Sequence, residues 1–359
     1  MKYLFIVQGE GRGHMTQAIA LSGMLRRNGH EIVGVLIGES KNRVVPHFFY
    51  EKIGAKVKTY ASPSFLFSKD NKHIHIGKTI LYNLTPRKLK KYMNSIELIH
   101  DEIARLRPDV VVNFYEMLAG FANLRFWEKT PFVSIGHQFL LKHCDYKFGH
   151  GDEQGLMFLR LHCLLSGLGA RKTLALSFYP LKEDSASHII TVPPLLRSEV
   201  LEAKPSHKDF ILGYILNSGF EEEVRIWHDN NPDTKLRFFW DKKDAPQKAK
   251  IDKTLSFYMI DDKDFIENMA ACKAFISTAG FESICEAFYL DKPVMMIPAH
   301  IEQEINAADA ESTGLGISGN KFDIGKLINF TQEKKTSNNE FRAWVDKAEE
   351  ILIKHLTDF

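Results

Sequence analysis

The chain has 359 residues, enough for about two domains of roughly 150 residues, each with its own core. A composition of 44% hydrophobic and 26% charged residues, with 13 Pro and 23 Gly, excludes a disordered or collagen-like chain. Lys and Arg number 47 against 45 Asp and Glu, a balance that excludes a protein built to grip nucleic-acid phosphates along its length.

The apolar run Tyr3 to Val7 reads as a first buried strand and is shorter than the core of a signal peptide. A helix follows it, with Ala18, Leu21 and Leu25 at helical spacing, Arg26 and Arg27 in its last turn and Gly29 as a left-handed cap. Further strands are predicted at Glu31 to Ile37, Asp109 to Val112, Phe132 to Ile135, Thr173 to Ser177 and Ile189 to Val192, with helical patterns between them. Strand and helix in alternation predict a parallel sheet. The pattern breaks at Thr191 to His207, where Pro193, Pro194, Pro205 and charged residues suit an interdomain linker. It restarts with strands at Phe210 to Leu216, Leu236 to Trp240, Ser256 to Ile260, Ala274 to Ser277 and Val294 to Ile297. A helix from Asn339 to Leu356 ends the chain. The expectation is an α/β protein of two doubly wound Rossmann-like domains facing across a cleft. Residues 1–195 would form the first domain, 206–340 the second, and 341–359 a helix crossing back to the first.

Cysteines at 144, 163, 272 and 285 form no CxxC pair, so the reading is of reduced thiols in a cytoplasmic protein. The most hydrophobic long segment, Gly155 to Ala170, is interrupted by Arg160 and His162 and is no membrane span. Asp262-Lys263-Asp264 reads as a helix cap with an acidic first turn rather than a metal motif. His73 and His75 lack a third ligand nearby, and no metal is expected.

Two segments carry chemistry. Gln8-Gly9-Glu10-Gly11-Arg12-Gly13-His14 joins a strand to a helix, where glycines let the backbone approach a phosphate or an acceptor. His14 stands where a dinucleotide fingerprint begun at Gly9 would need its last glycine, which sets a nicotinamide enzyme aside. The second segment runs from Phe275 through Thr278-Ala279-Gly280-Phe281-Glu282-Ser283 to Glu286, then through Leu290-Asp291-Lys292-Pro293-Val294 to Glu302-Gln303 and Asn306-Ala307. Free amides of Ala279, Gly280 and Phe281, with the Ser283 hydroxyl, would face an anion at a helix N-terminus. Glu286 can accept two bonds from a ribose diol, and Glu302 with Gln303 suits paired sugar hydroxyls.

These segments, with Pro193-Pro194-Leu195-Leu196-Arg197, resemble the GT-B nucleotide-sugar glycosyltransferases, in particular the MurG-like UDP-N-acetylglucosaminyltransferases of the family 28 type that build cell-envelope glycans. The resemblance implies an acceptor-binding first domain and a nucleotide-sugar-binding second one, in which Glu286 binds the ribose, the turn Ala279 to Gly280 faces the diphosphate, and Glu302 and Gln303 hold the donor sugar; Gly11, Gly13, Thr278, Phe281 and Ser283 complete the donor-binding set. It also implies that Asn217-Ser218-Gly219 forms a second glycine-rich loop near the phosphates. Relatives often carry Arg or His where Thr278 stands, and a polar uncharged residue where Glu282 stands. Glu282 is read as complementing the helix dipole from the solvent side.

Retaining relatives usually carry another glutamate eight residues before the position of Glu286, and Thr278 occupies it, so the resemblance implies an inverting transfer. A base must then take the acceptor proton. His14 is the candidate by resemblance, and Glu116 and His137, at the carboxyl ends of predicted strands, are the competing ones. Helix N-termini would stabilise the leaving group with no metal or cofactor beyond the UDP-sugar donor. Arg87, Lys88, Lys90 and Lys91, with Tyr82, Tyr92 and the Phe65 to Phe67 loop, form a surface suited to anionic lipid, a place for peripheral contact of a lipid-linked or glycan acceptor at the inner face of a membrane. The rival readings are an epimerase of the same architecture, which needs no acceptor, and a nucleotide-sugar or glycan-binding protein without catalysis.

Overall fold

The computed structural model of the chain describes residues 1–39, 45–64, 66, 75–146, 153–215, 220–242 and 245–359. The first half runs β1 (Lys2–Gln8), α1 (Arg12–Arg27), β2 (Glu31–Glu39), α2 (His47–Ile53), β3 (Val57–Ala61), α3 (Ile76–Asn83), α4 (Pro86–Leu106), β4 (Val110–Phe114), α5 (Met117–Phe126), β5 (Phe132–Ile135), a 3₁₀ turn (His137–Lys142), α6 (Glu153–Ser166), β6 (Lys172–Leu176) and β7 (Ile189–Val192). Its seven strands pair in the order β3-β2-β1-β4-β5-β6-β7, all parallel. The second half runs α7 (Ser198–Glu202), β8 (Ile211–Ile215), α8 (Glu221–Asp229), β9 (Leu236–Trp240), β10 (Lys248–Lys250), β11 (Leu255–Met259), α9 (Asp262–Ala271), β12 (Ala274–Ser277), α10 (Phe281–Tyr289), β13 (Val294–Met296), α11 (Ile301–Ser312), β14 (Gly316–Ser318), α12 (Ile324–Glu333), α13 (Asn339–Val345) and α14 (Ala348–Thr357). Its sheet has the order β10-β11-β9-β8-β12-β13-β14, parallel except at the β10 edge. Both halves are doubly wound, with the strand order reversing between β1 and β4 and between β8 and β12.

The central strands are apolar on both faces because helices cover both sides of a parallel sheet. Val110 to Val112 and Phe114 are fully buried, as are Tyr3 to Val7. Ala18, Leu21 and Leu25 of α1 are likewise buried, and Gly29 takes the left-handed conformation, φ 76°, that ends this helix.

Three strands had no counterpart in the sequence reading, and all lie at sheet edges: β3, β10 and β14. The linker also differs from an exposed connector. Residues 191–197 are buried, with Leu195 and Leu196 inside one apolar cluster that joins β1, β12, α10 and α14. Only beyond Arg197 does the connection reach the surface. The cap of α9 is Asp261, which accepts from the Asp264 amide at 2.9 Å, so Asp262 lies inside the first turn. The last predicted helix divides at Asp346–Lys347 into α13 and α14.

The final helices return to the first half. The Tyr3 hydroxyl donates to the Leu356 carbonyl at 2.9 Å, Lys172 Nζ to the His355 carbonyl at 3.1 Å, and Trp344 Nε1 to the Ser177 carbonyl at 3.0 Å. Arg27 reaches Glu349 at 2.5 Å.

Candidate functional site

The carboxyl ends of the two sheets face each other across a cleft of about 270 Å³, at the crevice where open α/β sheets bind ligands. One wall is the turn from β1 into α1. Gly9 serves packing, since a Cβ there would be driven into the Gly38 carbonyl of β2. Gly11 meets nothing within 4 Å and caps α1 without a side-chain bond, so the first amides of the helix are left to the cleft. His14, in the first turn, is buried; its Nδ1 donates to Gln17 Oε1 at 3.2 Å and its ring stacks on Tyr115, centroids 5.6 Å apart. The Gln17 amide in turn donates to Glu282 Oε1 across the cleft. Tyr115, just past β4, holds φ 60°, a strained value for an aromatic residue at the first switch point.

The facing wall is the turn from β12 into α10. Ala279 holds φ 55°, and Asn306 Nδ2 fixes its carbonyl at 3.0 Å. Gly280 caps α10 without a side-chain bond of its own, while the Ser283 hydroxyl donates to the Gly280 carbonyl at 3.0 Å. Phe281 stacks on the His137 ring with centroids 4.0 Å apart. One turn further, Glu286 Oε1 accepts from Arg197 Nε at 2.8 Å and from Nη2 at 2.5 Å, and a third guanidinium nitrogen pairs with Asp262. Glu302 accepts from Gln138 Nε2 at 2.7 Å, and Gln303 Oε1 accepts from the Ala299 amide at 2.9 Å.

Burial dominates the titration of these groups. It pushes His137 down to about 4, and His137 Nδ1 donates to the Leu176 carbonyl at 2.9 Å, leaving Nε2 buried without a hydrogen bond. Asn306 Oδ1, also among the cleft side chains, is unpartnered in the same way. Burial lowers His14 and raises Glu302, each of which favours the charge on the other. Glu286 is raised by burial against the pull of Arg197. Glu282 is raised to about 8 by burial, with Glu286 and Glu302 adding to the rise.

The structure thus brings Gly11, Gly13, His14, His137, Gly280, Phe281, Ser283, Glu286, Glu302 and Gln303 to one cleft. Thr278 and Ala279 are buried behind it rather than lining it. Asn217, Ser218 and Gly219 lie outside the described residues, as do Phe65, Phe67 and His73. Glu116 lies outside the residues lining the cleft and caps α5, accepting from the Leu118 amide and the Ser62 hydroxyl at 3.0 Å each, with burial raising it to about 7. Glu282 corrects the sequence reading. It does not point to solvent, because the first domain folds over it and Gln17 engages it.

Sequence reasoning did not single out Gln17, Gln138, Arg197 and Asp262 as site residues. Arg197 carried a usable signal, since a guanidinium directly after Pro-Pro-Leu-Leu must find a buried partner. Asp262 was marked only as part of a helix cap, and Gln17 and Gln138 are polar residues on a helix and a turn with no local mark. Among the described residues, His143, Cys144 and Asp184 cluster closely enough to hold a metal ion, away from the cleft. Both ring nitrogens of His143 already have backbone partners there, Lys182 at 2.8 Å and Asp145 at 3.1 Å. No helix among the described residues is long and apolar enough to cross a membrane.

Comparison with known proteins gives the site a family. Residues 1–333 match the model of glycosyl transferase family 1. An uncharacterised glycosyltransferase of Methanosarcina acetivorans is 25% identical over 342 residues, covering 88% of this chain and 83% of the relative. Among solved structures, the calicheamicin glycosyltransferase CalG4 superposes with a TM-score of 0.63 at 16% identity, covering 99% of this chain and 98% of that one. The spinosyn rhamnosyltransferase SpnG, complexed with thymidine diphosphate, gives 0.61 at 13% identity over the whole of both chains. At such identities the likeness to the solved structures is one of fold. The family match covers the β1–α1 turn, Arg197 and the whole α10–α11 segment, and the chain belongs to glycosyl transferase family 1, as a glycosyltransferase of the GT-B type.

Proposed function

We propose that this glycosyltransferase is inverting and metal-independent, and that it moves the sugar of a UDP-sugar, UDP-N-acetylglucosamine first among them, to a hydroxyl of a lipid-linked or glycan acceptor. This is the MurG-like reading of the donor segment. The observation that carries it is that α1 and α10 open their N-termini, neither capped by its N-cap side chain, into one cleft that also holds a buried histidine oriented by Gln17. Two such termini suit a diphosphate, whose leaving charge they would stabilise without a metal.

Glu286 keeps the ribose role. Both guanidinium bonds it accepts fall on Oε1, so Arg197 orients the carboxylate and leaves Oε2 for a ribose hydroxyl. Glu302 and Gln303, at the entry of α11, take the hydroxyls of the donor sugar. His14 is the base. Its Nδ1 proton is committed to Gln17, which puts the lone pair on Nε2 to receive the acceptor proton as the sugar is displaced from its opposite face. His137, with its lone pair on Nε2, is the competing base. Thr278, where a retaining enzyme usually has the first glutamate of its pair, supports inversion.

A lipid-linked acceptor fits the outer face of α3 and α4. Leu81, Leu84, Leu89 and Met93 are exposed there, beside Arg87, Lys90 and Lys91. Apolar and basic side chains together suit an anionic bilayer surface.

The test is a melting-temperature panel with UDP, dTDP, GDP and ADP. A ligand at about 100 times its Kd stabilises by about 2.7 kcal/mol. Stabilisation by UDP above the others, followed by transfer with inversion at the anomeric carbon in the presence of EDTA, is the expected result. Stabilisation by dTDP alone would overturn the choice of donor, and retention of configuration would overturn the mechanism.

A further inference from the structure

The cleft presents an electrostatic problem to any diphosphate. Glu282, Glu286 and Glu302 line it together with Glu10 and Asp262, against Arg12, which pairs with Asp241 at 3.4 Å, and Arg197, which Glu286 and Asp262 already engage. Glu282 stands between the starts of the two helices. It stands in the first turn of α10, and a Cβ added to Gly13 at the start of α1 would touch its Cγ at 3.5 Å and its Cδ at 3.6 Å. Its two oxygens are not equivalent. Oε1 accepts from the Gln17 amide, while Oε2 is buried and has no hydrogen-bond partner. An ionised carboxylate with one oxygen dry and unpaired is costly, and a second anion beside it more so.

We propose that Glu282 serves donor binding as a neutral carboxylic acid, its Oε2 hydroxyl donating a hydrogen bond to an oxygen of the donor's diphosphate. The inference rests on the donor site proposed above and adds a ligand contact to it. A protonated carboxyl removes the repulsion and supplies a donor, so the departure from an uncharged side chain at this position is one of composition rather than of chemistry.

The surroundings favour the neutral form. Glu282 is raised to about 8, burial being the largest cause and Glu286 on its own helix and Glu302 on α11 adding to it. Arg197 from the linker and the Gln17 amide from α1 act in the opposite sense. His14 on α1 is lowered by burial and adds little positive charge. The dipole of α10 also favours the anion and is a smaller effect than burial here. The linkage has a definite sign: the binding-competent form is the protonated one, so affinity is full well below about 8 and is lost as pH rises through it.

The experiment titrates UDP and dTDP into the full chain by calorimetry between about pH 6 and about pH 9, with the wild type and Glu282→Gln side by side. The glutamine is isosteric, neutral at every pH and still able to donate. Wild-type affinity is expected to weaken roughly tenfold or more across this range, the worth of one hydrogen bond to a charged group. Glu282→Gln should hold the wild type's low-pH affinity and show only the slope that the nucleotide itself brings. Infrared difference spectra of wild type against Glu282→Gln near pH 7 should contain the carbonyl stretch of a protonated carboxyl. Equal slopes in the two proteins, or no such carbonyl band, would overturn the inference and leave the donor site standing. Failure of both nucleotides to bind wild type at any pH would overturn the donor site, and this inference with it.

Discussion

The turn from β1 into α1 and the turn from β12 into α10 both stand at the switch point of their sheet, the first on the strand before the reversal and the second on the strand after it, and they bring backbone to the cleft by opposite means. The first uses glycines for space rather than for conformation: none of Gly9, Gly11 and Gly13 has a positive φ, and Gly9 alone is crowded by protein. The second uses an alanine where a positive φ favours glycine, and Asn306 clamps it. Ala279 is fully buried in the core cluster, so its methyl group contributes packing against a strain of about 1–2 kcal/mol. A small residue in a ligand loop therefore has no single meaning. What matters is whether the side chain is missing to admit the partner strand, to admit a ligand, or is present to hold the turn down.

Substitutions can break this comparison or sharpen it. His14→Ala, in the first turn, should lower kcat by about 10²–10⁴-fold while nucleotide affinity by calorimetry stays near wild type. Equal loss of binding would move His14 from base to donor site. On the second side, Arg197→Ala leaves Glu286 buried and uncompensated, while Asp262 keeps Lys52. A loss of about 3–5 kcal/mol in denaturant unfolding is expected, with weaker nucleotide binding. The two glycines of the first turn should separate cleanly. Gly9→Ala forces β2 to shift and should cost about 1–3 kcal/mol, whereas Gly11→Ala should stay within about 0.5 kcal/mol and act on nucleotide affinity alone. The smallest effect belongs to Ala279→Gly. Relief of strain is there opposed by loss of a buried methyl and by a freer unfolded chain, so a net loss below about 1 kcal/mol is expected. A clear rise in melting temperature would mean that strain outweighs the methyl.

How far the sequence could be read follows the range of the interactions involved. The inner strands announced themselves because burial on both faces gives continuous apolar runs, as in Val110 to Val112 and Phe275 to Ile276. Of the four edge strands only β7, Ile189–Val192, did; β10, Lys248-Ala249-Lys250, and β3, which begins Val57-Lys58-Thr59, carry charge on a free edge, and β14 is only Gly316-Ile317-Ser318. At the site, the turns and the positions of His14, Glu286, Glu302 and Gln303 were legible, since strand-to-helix turns are local. The bonds that set the state of those residues were not. Gln17 meets Glu282, Gln138 meets Glu302 and Arg197 meets Glu286 across separations of 265, 164 and 89 residues, and nothing near either partner marks the pairing. Glu282 was misread for the same reason: a carboxylate in a first helical turn ordinarily faces water, and only the other domain removes that water.

The chain passes between the two halves twice, once through the buried run Pro193 to Arg197 and once where α13 follows Asn338. At the second passage Asn338 Nδ2 donates to the Phe288 carbonyl at 2.9 Å, while Trp344 holds the opposite half through Ser177. Two covalent passages are two pivots, and two pivots define a line. Rotation about that line is the relative motion of the halves that leaves both passages undisturbed. Arg197 sits at one pivot and also grips Glu286, so any opening swing is felt first at the proposed ribose carboxylate. The joint that permits movement is thus a wall of the cavity that movement would expose.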